Sequence, residues 1–233
     1  MKVTKTINCK IKSHNRIFLP TLEIYREALG LIVSVVNSEW LDVSEQDTTK
    51  AKCNFAESFI HKTKDNPNPK YPDFDMSFYK FPSYFRRAAI ADAIGIVSSY
   101  RSNYKNWELK KIKLEAEGKE LRDLPPSLST KHYAFLYKGN MFKWLSEDQA
   151  MIKLYLDHDW KWLTITLNTK PFEKRNLDGF KIKNPSLVKR GKGFELHFPH
   201  EKVVKLNKIK LNDQIAVSVD MRLTNSAVCA KHP

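Results

Sequence analysis

The sequence predicts an α+β protein: a small antiparallel β-barrel whose first two strands are separated by an inserted α-helical bundle. Three observations predict it. Residues 1–12 alternate in polarity, residues 13–124 carry apolar side chains at helical spacing, and the remainder breaks into short β-rich pieces divided by turn residues.

In the first strand Val3, Ile7, Cys9 and Ile11 alternate with Lys2, Thr6, Asn8 and Lys12. Pro20 and Thr21 open the first helix, where Leu22, Tyr25, Leu29, Ile32, Val36 and Trp40 recur at steps of three or four and give one apolar face. A second helix covers residues 48–62, with Phe55, Phe59 and Ile60 inward. Residues 65–72 hold three prolines and read as a loop, because proline lacks the amide donor a helix needs. A third helix starts at Pro82-Ser83, with Phe85, Ala89, Ala93, Ile96, Tyr100, Tyr104 and Trp107 on one face. The pattern turns charged over 110–119, and Gly118, Pro125 and Pro126 end it.

The β-rich pieces are residues 133–137, 151–156, 160–167, 180–182, 186–189 and 194–198. Turns at Lys138-Gly139-Asn140, Asp178-Gly179 and residues 189–193 separate several of them. The N-terminal strand is expected to close this barrel. A final pair of apolar strands, 215–219 and 223–229, brackets Asp220. The expected segments are therefore 1–14 (first barrel strand), 15–126 (helical bundle), 127–210 (rest of the barrel) and 211–233 (terminal hairpin).

Charge narrows the function. Forty Lys and Arg stand against 26 Asp and Glu, a formal net charge of +14. That exceeds the roughly 2–8 units that keep a small domain soluble, and a field of that sign gathers polyanions. Residues 170–210 hold 12 of the cations and four of the acids. Cations on a β-surface with rings between them suit a phosphate backbone, the lysines neutralising phosphates and the rings offering stacking faces. The alternative is a set of strand edges guarded by lysine. Candidate RNA-binding residues here are Lys181, Lys183, Lys189, Arg190 and Lys192, and in the ring-rich segment before them Lys131, Lys138, Asn140 and Lys143. A second candidate is the helix start with Lys80, Ser83, Tyr84, Arg86 and Arg87, where hydroxyls and guanidinium forks stand beside helix-terminal amides. The alternative there is a capped helix with surface arginines.

Other classes are excluded. No stretch approaches the roughly 20 apolar residues that a bilayer requires, and no apolar run near Met1 suits a signal peptide. Cys9, Cys53 and Cys229 lie far apart, so neither a zinc knuckle nor a disulfide framework is expected, and a reducing compartment fits.

Asp220 ends an apolar strand, followed by a short turn, Asn225 and a second strand. Two-metal nucleases of the RNase H-like class place their first metal-binding Asp at such a spot. An Asp that merely opens a hairpin turn is the common alternative.

Four segments resemble the TnpB proteins, RNA-guided nucleases of insertion sequences related to the type V CRISPR effectors. They are residues 81–90 (FPSYFRRAAI), 137–142 (YKGNMF), 185–192 (PSLVKRGK) and 217–220 (VSVD), in the family's order. The resemblance implies a wedge (OB-like) barrel with an inserted recognition domain, then the first β-hairpin of an RNase H-like RuvC domain. It implies a guide RNA and double-stranded target DNA as partners, with the residue 80–87 element reading the motif flanking the target. The sequence departs from the family at Arg222, where the first RuvC motif has Gly. The family's second-motif Glu, third-motif Asp and zinc module lie beyond residue 233. The expectation is therefore an RNA-guided DNA-binding protein with a vestigial Asp220, no strand cleavage, and no cofactor. Magnesium enters only with a complete RuvC domain, which needs several carboxylates. The resemblance places the protein in a prokaryotic cytoplasm, at the nucleoid when DNA-bound, with transcriptional repression as one role. A fragment completed by its missing RuvC portion, a decayed remnant and a generic single-strand binder are the alternatives.

Overall fold

A computed structural model describes residues 1–12, 16–130, 133–173 and 175–205, and the backbone of Ala216–Met221 and Ser226–Lys231. The elements in order are β1 (Lys2–Lys10), α1 (Leu19–Ser38), α2 (Trp40–Ser44), α3 (Thr49–Ile60), α4 (Asp73–Ser77) and α5 (Ser83–Ala116). Then follow β2 (Ala134–Phe135), β3 (Phe142–Trp144), β4 (Gln149–Leu156), β5 (Asp159–Thr166), α6 (Lys170–Glu173), β6 (Lys181–Ile182), β7 (Ser186–Arg190), β8 (Gly193–Val203), β9 (Ala216–Met221) and β10 (Ser226–Lys231). The fold is mixed α+β and its sheets are antiparallel.

The polarity alternation of β1 has a long-range consequence. β1 pairs with β8 from Lys2↔Val203 to Lys10↔Glu195. Its inward residues Ile7 and Cys9 lie opposite Phe198 and Leu196, and all four are buried. The helices α1 to α5 therefore sit in the chain between β1 and its sheet partners, as an insertion. The order of this sheet is β1-β8-β7-β2, with β6 also on β8. A second sheet has the order β3-β4-β5.

The expected barrel does not close among the described residues. The two sheets meet at a single bridge, Ile11↔Leu167, flanked by the amides of Lys12 and Asn168 donating to Thr166 and Lys10 carbonyls at 2.8 Å. On the far side the turn between β2 and β3 supplies only the bridge Lys138↔Phe142. Strands as short as β2 and β6, two residues each, offer too few ladder hydrogen bonds for continuous closure.

Helix α1 buries Leu22, Tyr25, Leu29, Ile32 and Val36, as its spacing predicts, while Trp40 falls in α2. Helix α3 is capped by Thr48, whose Oγ1 accepts from the Ala51 amide at 3.1 Å. Helix α5 begins after Pro82 but runs on through the charged stretch to Ala116. α2, α4 and α6 have five, five and four residues, too few to display a helical period.

The insertion is fastened to the sheets by rings and one buried hydroxyl. Phe18 packs on Phe194 at 5.1 Å, and Phe81 and Phe85 meet Trp160 edge-on at 5.6 and 5.3 Å. The buried Thr21 Oγ1 accepts the Tyr155 amide at 2.8 Å, joining the first turn of α1 to β4. No helix among the described residues is long and apolar enough to cross a membrane.

Candidate nucleic-acid interface

The β7–β8 hairpin presents three exposed cations at its tip. Its register ends at Arg190↔Gly193, and Gly191 turns the chain at φ +57°, a left-handed conformation natural to glycine. The inward strand residues Leu187 and Leu196 hold the hairpin in the core, so the tip projects with Lys189, Arg190 and Lys192 exposed. None of the three has an acidic partner among the described residues.

The other end of β7 differs. There Lys181 of β6 and Lys183 just after it are exposed, but Lys183 pairs with Glu201 at 2.9 Å. Lys2 reaches the same carboxylate at 3.0 Å. The hydrogen bonds from Lys183 and Lys2 hold the Glu201 carboxyl below its usual range. Lys5 and Lys202 both lie over the Phe180 ring, at 4.7 and 5.7 Å. Lys2, Lys5 and Lys202 are recruited by the β1–β8 register, a signal no local pattern carries.

The Lys138-Gly139-Asn140 turn is fixed by Gly139 at φ +86° and by the Lys138 amide, which donates to Asn184 Oδ1 at 2.9 Å. This bond puts Lys138 and Asn140 beside the Lys183 end of β7. That end is about 13 Å, the rise of four strand residues, from Arg190. Lys143 is exposed and lies 4.8 Å over Trp162. The neighbouring rings mostly serve the core: Phe142 is buried, and Trp144 stacks on Phe198 at 5.4 Å and 18°. Lys131 lies outside the described residues.

The residue 80–87 element splits in two. Lys80 (at φ +58°), Ser83, Tyr84 and Arg87 are exposed. The Tyr84 ring lies 5.5 Å from Tyr137 and 5.6 Å from the Arg87 guanidinium, which brings the helix start against the Tyr137-Lys138 segment. Arg86, by contrast, is buried, and its Nε donates to Glu57 Oε1 of α3 at 2.8 Å. Arg86 is therefore not a surface arginine, and a group that touches it must enter the cleft between α3 and α5. Glu57 carries no signal in the sequence, because its role depends on how α3 and α5 pack.

Asp220 sits near the end of β9, opposite Ala227 of β10, in an antiparallel strand pair. Its side chain and residues 222–225 lie outside the described residues. Among the described residues no group of three His, Cys, Asp or Glu is placed to hold a metal ion.

A family model described as the Aq_aa04 family matches residues 5–156. That span runs from β1 through the insertion to the end of β4, and leaves the β7–β8 hairpin outside it. The chain is similar to the uncharacterized protein aq_aa04 of Aquifex aeolicus (strain VF5), 42% identical over 81 residues. The similarity spans 33% of this chain and 40% of that relative.

Proposed function

This chain belongs to the Aq_aa04 family, and we propose that it is a nucleic-acid-binding protein of the TnpB kind, which holds a guide RNA on its sheets and duplex DNA at its helical insertion. The observation that carries the reading is the β7–β8 tip, where Lys189, Arg190 and Lys192 are exposed without an acidic partner among the described residues. Three unneutralised cations at one hairpin attract a polyanion, and counterion release makes the binding favourable at low salt. The insertion of α1 to α5 between β1 and β2 supports it, since a wedge barrel with an inserted recognition domain has this chain order. In this reading the two seamed sheets are the OB-like wedge, and β9–β10 begin a RuvC domain.

The RNA contacts are assigned to the tip and to Lys138, Asn140, Lys143, Lys181 and Lys183. Lys80, Ser83, Tyr84 and Arg87 meet the flanking duplex, and Arg86 meets only what enters its cleft. Two-metal hydrolysis takes several carboxylates and Asp220 supplies one, so the role we propose for these residues is binding without cleavage. Binding without cutting would obstruct transcription of the bound DNA.

The test is the salt dependence of single-stranded RNA binding, read by fluorescence anisotropy. Lys189→Glu, Arg190→Glu and Lys192→Glu together should lower the slope of log K against log salt by about 0.7 for each phosphate that is no longer neutralised. An unchanged slope in a triple variant that melts like the parent would overturn the assignment. A Mg²⁺-dependent cut of guide-matched DNA that disappears in Asp220→Ala would overturn the claim that the chain does not cleave.

A further inference from the structure

We propose that the cavity between α3 and the first turns of α5 is an anion site, which takes one phosphate group of the nucleic-acid backbone. The cavity measures about 280 Å³, and Asn54, Glu57, His61, Arg86 and Arg87 are among its lining residues. Its defining feature is Arg86, whose side chain is only 9% exposed. A guanidinium carries five N–H donors. One, on Nε, is filled by Glu57 Oε1 at 2.8 Å. The terminal nitrogens have no hydrogen-bond partner among the described residues. These terminal donors still reach solvent through the cavity, so an anion that displaces water from them gains charge-assisted hydrogen bonds.

The chemistry of that acceptor follows from the donors. The two terminal nitrogens form a fork that matches two oxygens of one phosphate. Glu57 fixes the fork by its Nε, and so acts as a positioning residue. Arg87 stands at the rim with its side chain 54% exposed, 3.9 Å from Glu57 Oε2. Tyr84 supports the Arg87 guanidinium at 5.6 Å. His61 is engaged through Nδ1 with Asp75 Oδ1 at 2.8 Å. Among the lining side chains two guanidiniums stand against the one carboxylate of Glu57, and the Asp75 carboxylate lies behind His61. The amide of Asn54, exposed at the mouth, adds a neutral donor.

The source of the phosphate rests on the nucleic-acid reading above; the anion site itself does not. The experiment uses the full chain with inorganic phosphate as the first probe and a short DNA duplex as the second. Phosphate should move the side-chain Nε–H resonances of Arg86 and Arg87. Arg87→Ala, a surface change, should weaken phosphate and duplex binding about tenfold, the loss of one charge-assisted hydrogen bond, and lower the duplex salt slope by about 0.9. Glu57→Gln keeps an oxygen for Arg86 Nε and removes the opposing charge, so it should tighten phosphate binding. A merely structural Glu57 would not produce that opposite sign. If phosphate leaves both resonances unmoved and Arg87→Ala leaves the duplex slope unchanged, the anion site is refuted while nucleic-acid binding stands. If phosphate binds here but neither RNA nor duplex does, the nucleic-acid source is refuted.

Discussion

The two halves of α5 continue one periodic face and meet opposite fates. From Ser83 to Val97 the helix buries Phe85, Ala89, Ala93 and Val97. Tyr25 of α1 packs on Phe85 at 4.7 Å and donates its hydroxyl to Asp92 at 2.6 Å. From residue 98 to 116 no side chain is buried. There Tyr100, Tyr104 and Trp107 pack on one another as tilted rings at 5.9 and 5.6 Å. The cause is length. Helix α1 runs beside α5 and stops at Ser38, where Arg101 donates to the Asn37 carbonyl at 2.9 Å. Beyond that point α1 no longer covers α5. Its outer half is steadied by the returning chain, with Trp107 Nε1 donating to the Asp123 carbonyl at 2.9 Å and Lys110 pairing with Asp123 at 2.6 Å. A periodic face therefore becomes core only as far as a neighbouring element extends.

The sharpest way to break this comparison is truncation in each half. Phe85→Ala should lower stability by about 3–5 kcal/mol, the usual cost of a ring-sized core cavity. Tyr104→Ala should stay within about 0.5 kcal/mol. Urea denaturation of both variants checks the contrast, and equal losses would remove it.

A second contrast lies within the inner half. Glu57→Ala leaves Arg86 buried without its counter-charge, and should cost roughly 3 kcal/mol or more. Arg87→Ala, one residue along, should change stability by less than about 0.5 kcal/mol, since its side chain is mostly in solvent. Thermal melts of the pair decide whether adjacent arginines differ as their burial predicts.

The thiols compare sheet with insertion. Burial, then the nearby Glu195 charge, pushes the Cys9 thiol up to about 12. Burial, then Glu57, raises Cys53 as well. Alkylation of the native protein at neutral pH should therefore proceed at Cys53 before Cys9, because the thiolate is the reactive form and Cys9 is sealed between the β1–β8 ladder and the core. Modification of Cys9 first would mean that β1 leaves its sheet more easily than α3 opens.

The smallest expected effect concerns the proline loop. Lys70 donates to Glu39 at 2.7 Å and the Tyr71 hydroxyl donates to the same carboxylate, joining the loop to the end of α1. These hydrogen bonds hold the Glu39 carboxyl below its ordinary range and raise both Lys70 and Tyr71. The Glu39 contribution is present above the unfolded carboxylate range and is lost as pH falls through its lowered value. The Lys70 and Tyr71 contributions are present below their ordinary values and are lost as pH rises through the raised ones. Amide exchange at Tyr71, whose N–H donates to the Phe59 carbonyl, should be slowest between those limits and accelerate at both extremes beyond the intrinsic pH trend.

These contrasts explain how far the sequence is legible. The alternation in β1 names Ile7 and Cys9 and the apolar stripe of α1 names Leu22, Tyr25, Leu29, Ile32 and Val36 as buried, while Val3 is half-buried and Trp40 falls in α2, because period fixes a face only where the element is packed. The insertion follows from a polar-alternating strand separated from the other strands by helices. Tyr100, Tyr104 and Trp107 share the periodic face of α5 without joining the core, because period does not report where a partner helix ends. The same holds at the candidate site. Lys189, Arg190 and Lys192 are legible from a glycine-flanked basic turn. The pairing of Lys183 with Glu201 and of Arg86 with Glu57 is not, since each joins residues brought together only by tertiary packing.

The central claim is that the cationic tip and the sheets beside it hold a guide RNA. Its most direct test is to purify the full chain at moderate salt, extract the nucleic acid that travels with it and sequence it. The account predicts RNA of one defined sequence, released when Lys189→Glu, Arg190→Glu and Lys192→Glu are combined. Heterogeneous RNA, or none at all from a folded protein, would contradict it.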